Sequence, residues 1–277
     1  MRDMFEVELA KNLFKDAIKS SFNEEHIIYA FLTGPFTFGS AKHDIDMVVV
    51  IDNKRLNPLE KIEYQKRILK FVEKYLRIHK FLGYAPDLDF PSDVVTYTQI
   101  EDSINGRGFD VKDSKLYLRK IKTKKDYFNT KIDYRVYLWE LITSCEGFIL
   151  GDYTKYIVDK FRALNTILLY TISKLESGKV TLRDIKEKIF TLAGLDERYD
   201  VVSDYIEPMI VYMLRIMSFQ GYIAQEDEKI LLKKEKIREW EKSIIEKHRT
   251  NNWKGKPLFI SWQILRTHAK NIIKEWL

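Results

Sequence analysis

Cysteine is nearly absent from this sequence: Cys145 stands alone among 277 residues. One thiol forms no disulfide within the chain, and a cysteine-based zinc site is excluded. Cys145 lies in an apolar run and reads as a small core residue. The 5 histidines are scattered, with no His-x-His or His-x-x-x-His pair to suggest a metal cage. No apolar run approaches the length needed to span a bilayer. The opening stretch MRDMFEVELAKNLF is charged and amphipathic and lacks the apolar core of a secretory signal. A soluble, cytoplasmic protein is the expectation. The sequence has no internal repeat and no low-complexity linker.

What is present is core-forming material. Hydrophobic residues make up 45% and aromatic residues 13%, enough for a packed interior. Charged residues reach 32% but are mixed in sign, which argues against a disordered chain. The length is comfortable for two domains. The net charge of +6 and pI near 9.0 favour polyanionic partners such as nucleotides or nucleic acid. A lysine-rich chain that is merely soluble accounts for the charge equally well.

The periodicities divide the chain in two. Residues 4–20 read as a helix, with Phe5, Leu9, Leu13, Phe14 and Ile18 on one face. The run HIIYAFLTG (26–34) reads as a buried strand, and DIDMVVVID (44–52) as a central one. Asn57-Pro58 opens a helix to about His79, with Ile62, Leu69, Val72, Tyr75 and Leu76 as its apolar stripe. A third strand is expected to begin at 86–90 and to be interrupted at Pro91, with 93–100 continuing as strand or strand-to-helix transition, followed by a turn and another strand over 104–121. From about residue 133 two long helices are expected, broken at Gly151. The stretch 181–234 reads helix, turn at Gly194, helix, Gly221 and hairpin, an order resembling a winged-helix unit; basic helices follow. The polar, basic stretch KIKTKKDYFNTK (120–131) is the candidate boundary.

The informative segment is LTGPFTFGSAKHDIDMVVVID. Asp44 and Asp46 are two apart in a strand, so alternation places both carboxylates on one face. Two like charges that close resist ionising together. A divalent cation offsets the repulsion, and carboxylate oxygens are the hard ligands that Mg²⁺ prefers. The preceding loop carries Gly34, Gly39 and Ser40. Glycine lets backbone approach a phosphate closely, and amides in such a turn cradle phosphate oxygens. Lys42 adds a charge partner. A bare Asp-x-Asp is common and often marks only a solvated strand end. Acids opening a buried strand, however, are costly without a partner. Arg107, between glycines, is a secondary phosphate candidate, against which stands an ordinary hairpin turn.

A strand, a glycine turn, a loop and then Asp-x-Asp on the next strand resemble the nucleotidyltransferase superfamily, which includes DNA polymerase beta and the antibiotic and minimal nucleotidyltransferases. The likeness covers about the first 100 residues. Two departures are visible: Pro35 stands where the family has Ser or Gly, and the loop to Asp44 is slightly short. The resemblance implies an α+β fold: an N-terminal nucleotidyltransferase-type mixed sheet flanked by helices over 1–128, and a mostly helical acceptor-binding or lid domain over 129–277. It implies transfer of a nucleoside monophosphate from an NTP, ATP foremost, to a hydroxyl of a small molecule or RNA, with Mg²⁺ or Mn²⁺ as cofactor. A protein acceptor is a third option. Asp44 and Asp46 would be catalytic and metal-binding, with a third acid among Asp87, Asp89 and Asp93, of which Asp89 is preferred. Gly34, Gly39, Ser40 and Lys42 would meet the nucleotide. The rival is a catalytically silent regulator that keeps the fold and binds nucleic acid through its basic C-terminal helices.

Overall fold

The computed structural model describes residues 4–38, 44–86, 88, 93–118, 134–193, 200–255 and 262–276. Helix α1 (Met4–Lys19) leads to strand β1 (Ile27–Thr33), whose apolar sequence IIYAFLT is almost wholly buried. A 3₁₀ turn (Gly34–Phe38) leaves β1, and β2 (Asp46–Ile51) follows with an equally apolar, β-branched sequence. Helix α2 (Pro58–Leu82) starts where the Asn57 side chain accepts from Leu59 and Glu60 N–H while Glu60 reaches back to the Asn57 N–H. Pro58 sets the first helical φ, and Gly83, at φ 77°, ends the helix. Strand β3 (Asp93–Thr96) and helix α3 (Tyr97–Asp102) come next.

These strands belong to a mixed four-stranded sheet. Strand β1 pairs antiparallel with β2 on one side and with β6 (Phe148–Gly151) on the other, and β3 lies parallel to β2 across the α2 crossover. Alternation gives the sheet two apolar faces. Ala30, Leu32, Met47, Val49 and Ile51 pack with Phe14 and Ile18 of α1 and with Phe71 and Val72 of α2. Tyr29, Phe31, Val48 and Val50 pack instead toward α4 (Tyr134–Thr143) and α5 (Tyr153–Ser173). On α1, Ala10 and Ala17 join the buried side while Phe5 is 73% exposed, so the stripe is rotated from the expected one. Ile62 is likewise exposed on α2.

The sequence period carries a helix through 133–150, but the chain leaves helix at Thr143 and β6 forms. Cys145 takes a positive φ of 44° in the turn. Gly147 then lies flat on β1: Leu32 N–H donates to Gly147 O at 2.7 Å, and a Cβ on Gly147 would fall on the Leu32 carbonyl. Edge pairing for β1 thus overrides the helical period. Between α3 and the next strands, a π-type turn (Ser103–Arg107) holds Gly106 at φ 103° against Ile244, and a hairpin of β4 (Phe109–Lys112) and β5 (Lys115–Leu118) stands where a single strand was expected. Within 86–90, residues 87, 89 and 90 lie outside the described residues; β3 begins at Asp93. The expected boundary at 128/129 also lies outside them, and beyond it β6, α4 and α5 complete the sheet and cover its second face.

After α5 come β7 (Lys179–Val180), α6 (Leu182–Ala193), α7 (Asp200–Phe219), β8 (Ile223–Glu226) and β9 (Lys229–Leu232), with the three strands in the order β7-β9-β8. Helix α8 (Lys234–Arg249) packs through Ile237 and Ile244 onto the α5 side. Helix α9 (Trp262–Trp276) returns to α2 through Leu265, Ala269 and Ile272. No helix among the described residues is long and apolar enough to cross a membrane.

Candidate active site at the acidic edge of the sheet

The C-terminal end of β1 and the N-terminal end of β2 meet at one edge, where Thr33 pairs with Asp46. Strand β3 starts near the same edge, with Asp93 opposite Val48. Met47, Val49 and Ile51 belong to the core under α1 and α2, whereas Val48, Val50 and Val95 belong to the core under α4 and α5. Asp46 and Asp93, each two residues from a valine of the second set, therefore share the second face. Asp44 falls in the same alternation, because fully buried Ile45 lies on the α2 side. Asp44, Asp46 and Asp93 are each half-buried. Among the described residues no group of three His, Cys, Asp or Glu side chains is arranged to hold a metal ion.

Gly34 fits this edge closely. Its φ is 72°, a conformation side chains rarely adopt, and a Cβ there would lie 2.8 Å from Asp46 Oδ2. The turn after β1 thus presses bare backbone against the Asp46 carboxylate. Thr37 Oγ1 donates to Gly34 O at 2.9 Å, closing the turn. Thr33 Oγ1 donates to Glu140 O at 2.8 Å, so the last turn of α4 braces the end of β1.

The opposite side is held by α2. Ile45 precedes β2, so its peptide groups lie outside the ladder. His79 Nε2 accepts the Ile45 N–H at 3.1 Å, and the Tyr75 hydroxyl donates to Ile45 O at 3.0 Å. The other ring nitrogen, Nδ1, lies 2.9 Å from Tyr75 O, an acceptor, which fixes the tautomer with Nδ1 protonated. Burial pushes the His79 pKa down to about 4 from the usual 6.5, so the ring is neutral at pH 7 and free to accept. The residue between the two acids is therefore gripped at both of its backbone polar groups.

Behind the turn lies a buried amine. Lys160 Nζ donates to Cys145 O at 3.0 Å and to the Tyr205 hydroxyl at 3.1 Å, and that hydroxyl donates to the same carbonyl at 2.7 Å. Burial lowers the Lys160 pKa to about 8. Cys145 is buried as expected of a core residue, and burial raises its thiol pKa.

The sequence-derived set is thus only partly placed. Gly34 and Asp46 come together at the edge, and Asp44 lies two residues before, just outside β2. Gly39, Ser40, Lys42, Asp87 and Asp89 lie outside the described residues. Asp93, the least favoured candidate for third acid, has the register that puts it on the Asp46 face. Arg107 is a structural residue: its guanidinium donates to Asp102 Oδ2 at 3.0 Å and to Gly255 O at 2.8 Å. The His79–Tyr75 grip was missed. Its only trace in the sequence is the i, i+4 spacing of the two residues on the buried side of α2. Comparison of the chain with family models, with curated proteins and with solved structures gives no match in any of the three.

Proposed function

We propose that the chain is a metal-dependent nucleotidyltransferase that uses an NTP to place a nucleoside monophosphate on an acceptor hydroxyl. The observation that carries this reading is the Asp44–Ile45–Asp46 edge, with Gly34 backbone against Asp46 and both peptide groups of Ile45 fastened to α2. The donor set fits Mg²⁺ or Mn²⁺: hard carboxylate oxygens two residues apart, beside a turn whose missing Cβ leaves the space at Asp46 Oδ2. In this reading Asp44 and Asp46 hold the cation, whose remaining positions go to triphosphate oxygens and water. Asp93 shares their face by register but forms no three-carboxylate group with them, so the cation is assigned to Asp44 and Asp46 alone. A bound cation would supply positive charge at the reacting phosphate and lower the pKa of the acceptor hydroxyl. The chain's own part is to hold the acids in place and to present the Gly34–Phe38 turn toward the phosphates.

The rival reading, a nucleic-acid-binding regulator, has one feature in its favour. The order α5, β7, α6, α7, β8, β9 with strands β7-β9-β8 is similar to a winged helix. Charge opposes it. Binding to duplex rests on Lys and Arg at phosphates. Helix α7, at the recognition position, carries Asp204 and Glu207 against Arg215, and the hairpin tip is Glu226, Asp227 and Glu228 before Lys229. These acids disfavour duplex binding at the winged unit, while the basic residues of this reading lie in α8 and α9.

The test is transfer of label from the α-phosphate of each NTP into small-molecule, RNA and protein fractions of a cell extract. Label should enter one fraction only with Mg²⁺ or Mn²⁺, and Asp44→Asn or Asp46→Asn should abolish it in a chain that still melts cooperatively. Retained transfer in either variant refutes the assignment. A melt that shows no stabilisation by ATP with Mg²⁺, together with tight duplex binding, would favour the regulator.

A further inference from the structure

A cavity of about 1020 Å³ lies away from the acidic edge, between α5, α7 and α8. Its walls are apolar and aromatic: Phe161, Tyr212, Tyr222 and Trp240 face it among aliphatic residues. Three cations line it, Arg162, Lys236 and Lys247, and no Asp or Glu does. This is a sorted surface, because α8 also carries Glu235, Glu239, Glu241 and Glu246. The residues that α8 gives to the cavity, from Lys236 through Trp240 and Ser243 to Lys247, recur at helical spacing on one face and exclude every one of those acids.

The polar groups at the cavity are unevenly committed. Lys236 Nζ donates to Gln220 O and sits over the Tyr222 ring. Arg162 spends one nitrogen on buried Asp159 and keeps its other N–H groups. Asn165 Oδ1 is buried beneath the cavity surface, so the aromatic walls and the cations are what a ligand meets. An aromatic ring would stack among these walls while an anionic group meets Arg162 and Lys247.

We propose that this cavity is a second ligand site, for a small anion built on a heteroaromatic ring, the chemistry of a nucleoside monophosphate, with AMP as the probe. The ring lies among Phe161, Tyr222 and Trp240, and the phosphate faces Arg162 and Lys247. This site stands whether or not the acidic edge transfers nucleotides.

Titration calorimetry with AMP, adenosine and inorganic phosphate tests it. The full chain is used in EDTA and carries Asp44→Asn and Asp46→Asn, so that the acidic edge cannot account for the binding. AMP should bind at one site, with adenosine and phosphate each weaker by at least about tenfold. Lys247→Glu reverses a rim charge and Ser243→Trp fills the groove from an exposed position; each should weaken AMP by about tenfold or more with an unchanged melting temperature. Absence of AMP binding up to about 1 mM, or affinity that neither variant alters, overturns the proposal.

Discussion

Protonating His79 should loosen the edge that carries the two acids, and the size of the effect follows from its burial. The ring is fully buried, and its pKa falls from 6.5 to about 4 on folding because burial penalises the charged form. The unfolded chain therefore binds the proton more tightly than the folded one. Stability from this residue is intact above about pH 6.5, declines as pH falls, and levels off below about pH 4. At 1.36 kcal/mol per unit, the full span is worth roughly 3 kcal/mol, and the loss by about pH 5 is roughly 2 kcal/mol. The protonated ring also has no lone pair for the Ile45 N–H, so the same event removes one side of the grip.

The informative variant is His79→Phe. It keeps an aromatic ring beside Phe14 and Tyr75 but leaves the Ile45 N–H buried and unmet. At pH 7.5 it should cost about 1–3 kcal/mol. Urea melts of both proteins in EDTA, from about pH 7.5 to about pH 5, read the difference directly, since the remaining histidines are common to both. The gap between the two should shrink by roughly 2 kcal/mol on acidification. A gap constant with pH would show that His79 is not held neutral by the fold, and a variant as stable as the parent at pH 7.5 would show that the Ile45 hydrogen bond contributes nothing.

Three further outcomes follow from the same geometry. Gly34→Ala should cost about 1–3 kcal/mol through its left-handed φ and should abolish any stabilisation by Mg²⁺ with ATP, because its Cβ meets Asp46 Oδ2; thermal melts with and without the ligand separate the two effects. Gly147→Ala should destabilise by about 3 kcal/mol, since its Cβ falls on the Leu32 carbonyl, and hydrogen exchange should show the β1–β6 amides opening while the β1–β2 amides stay protected. Lys160 binds its proton less tightly folded than unfolded, with a pKa of about 8 against 10.5. The parent should therefore gain up to roughly 3 kcal/mol relative to Lys160→Met as pH rises from about 8 to about 10.5, as read in urea melts.

The parts of this fold that obey local rules are legible in the sequence. Strands β1 and β2 and helix α2 announce themselves through β-branched runs and through Asn57, Pro58 and Glu60 at a helix start. Strand β6 was hidden because Phe148, Ile149 and Leu150 fit a helical period and a strand equally well; a free edge on β1 decides between them, and that is a tertiary fact. The third acid was not legible for a related reason. Asp87 and Asp89 lie outside the described residues, and only the parallel pairing of Val48 with Asp93 shows that Asp93 shares the Asp46 face. Register between strands separated by a 25-residue helix is not written in either strand alone.

The grip on Ile45 explains how acids can open a buried strand at all. Ladder pairing on the β1 side ends at Thr33 and Asp46, so the peptide groups of fully buried Ile45 need partners from elsewhere. Backbone from another strand there would cover the edge. Side chains from a helix on the far face satisfy both groups. A neutral histidine suits the N–H because it accepts without adding charge beside two carboxylates, and burial is what keeps it neutral. Gly34 fixes the near side of Asp46 and His79 with Tyr75 fixes the far side of the intervening peptide, so the acids are set in place before any ligand arrives. Loss of either support should therefore change ligand affinity more than it changes the fold.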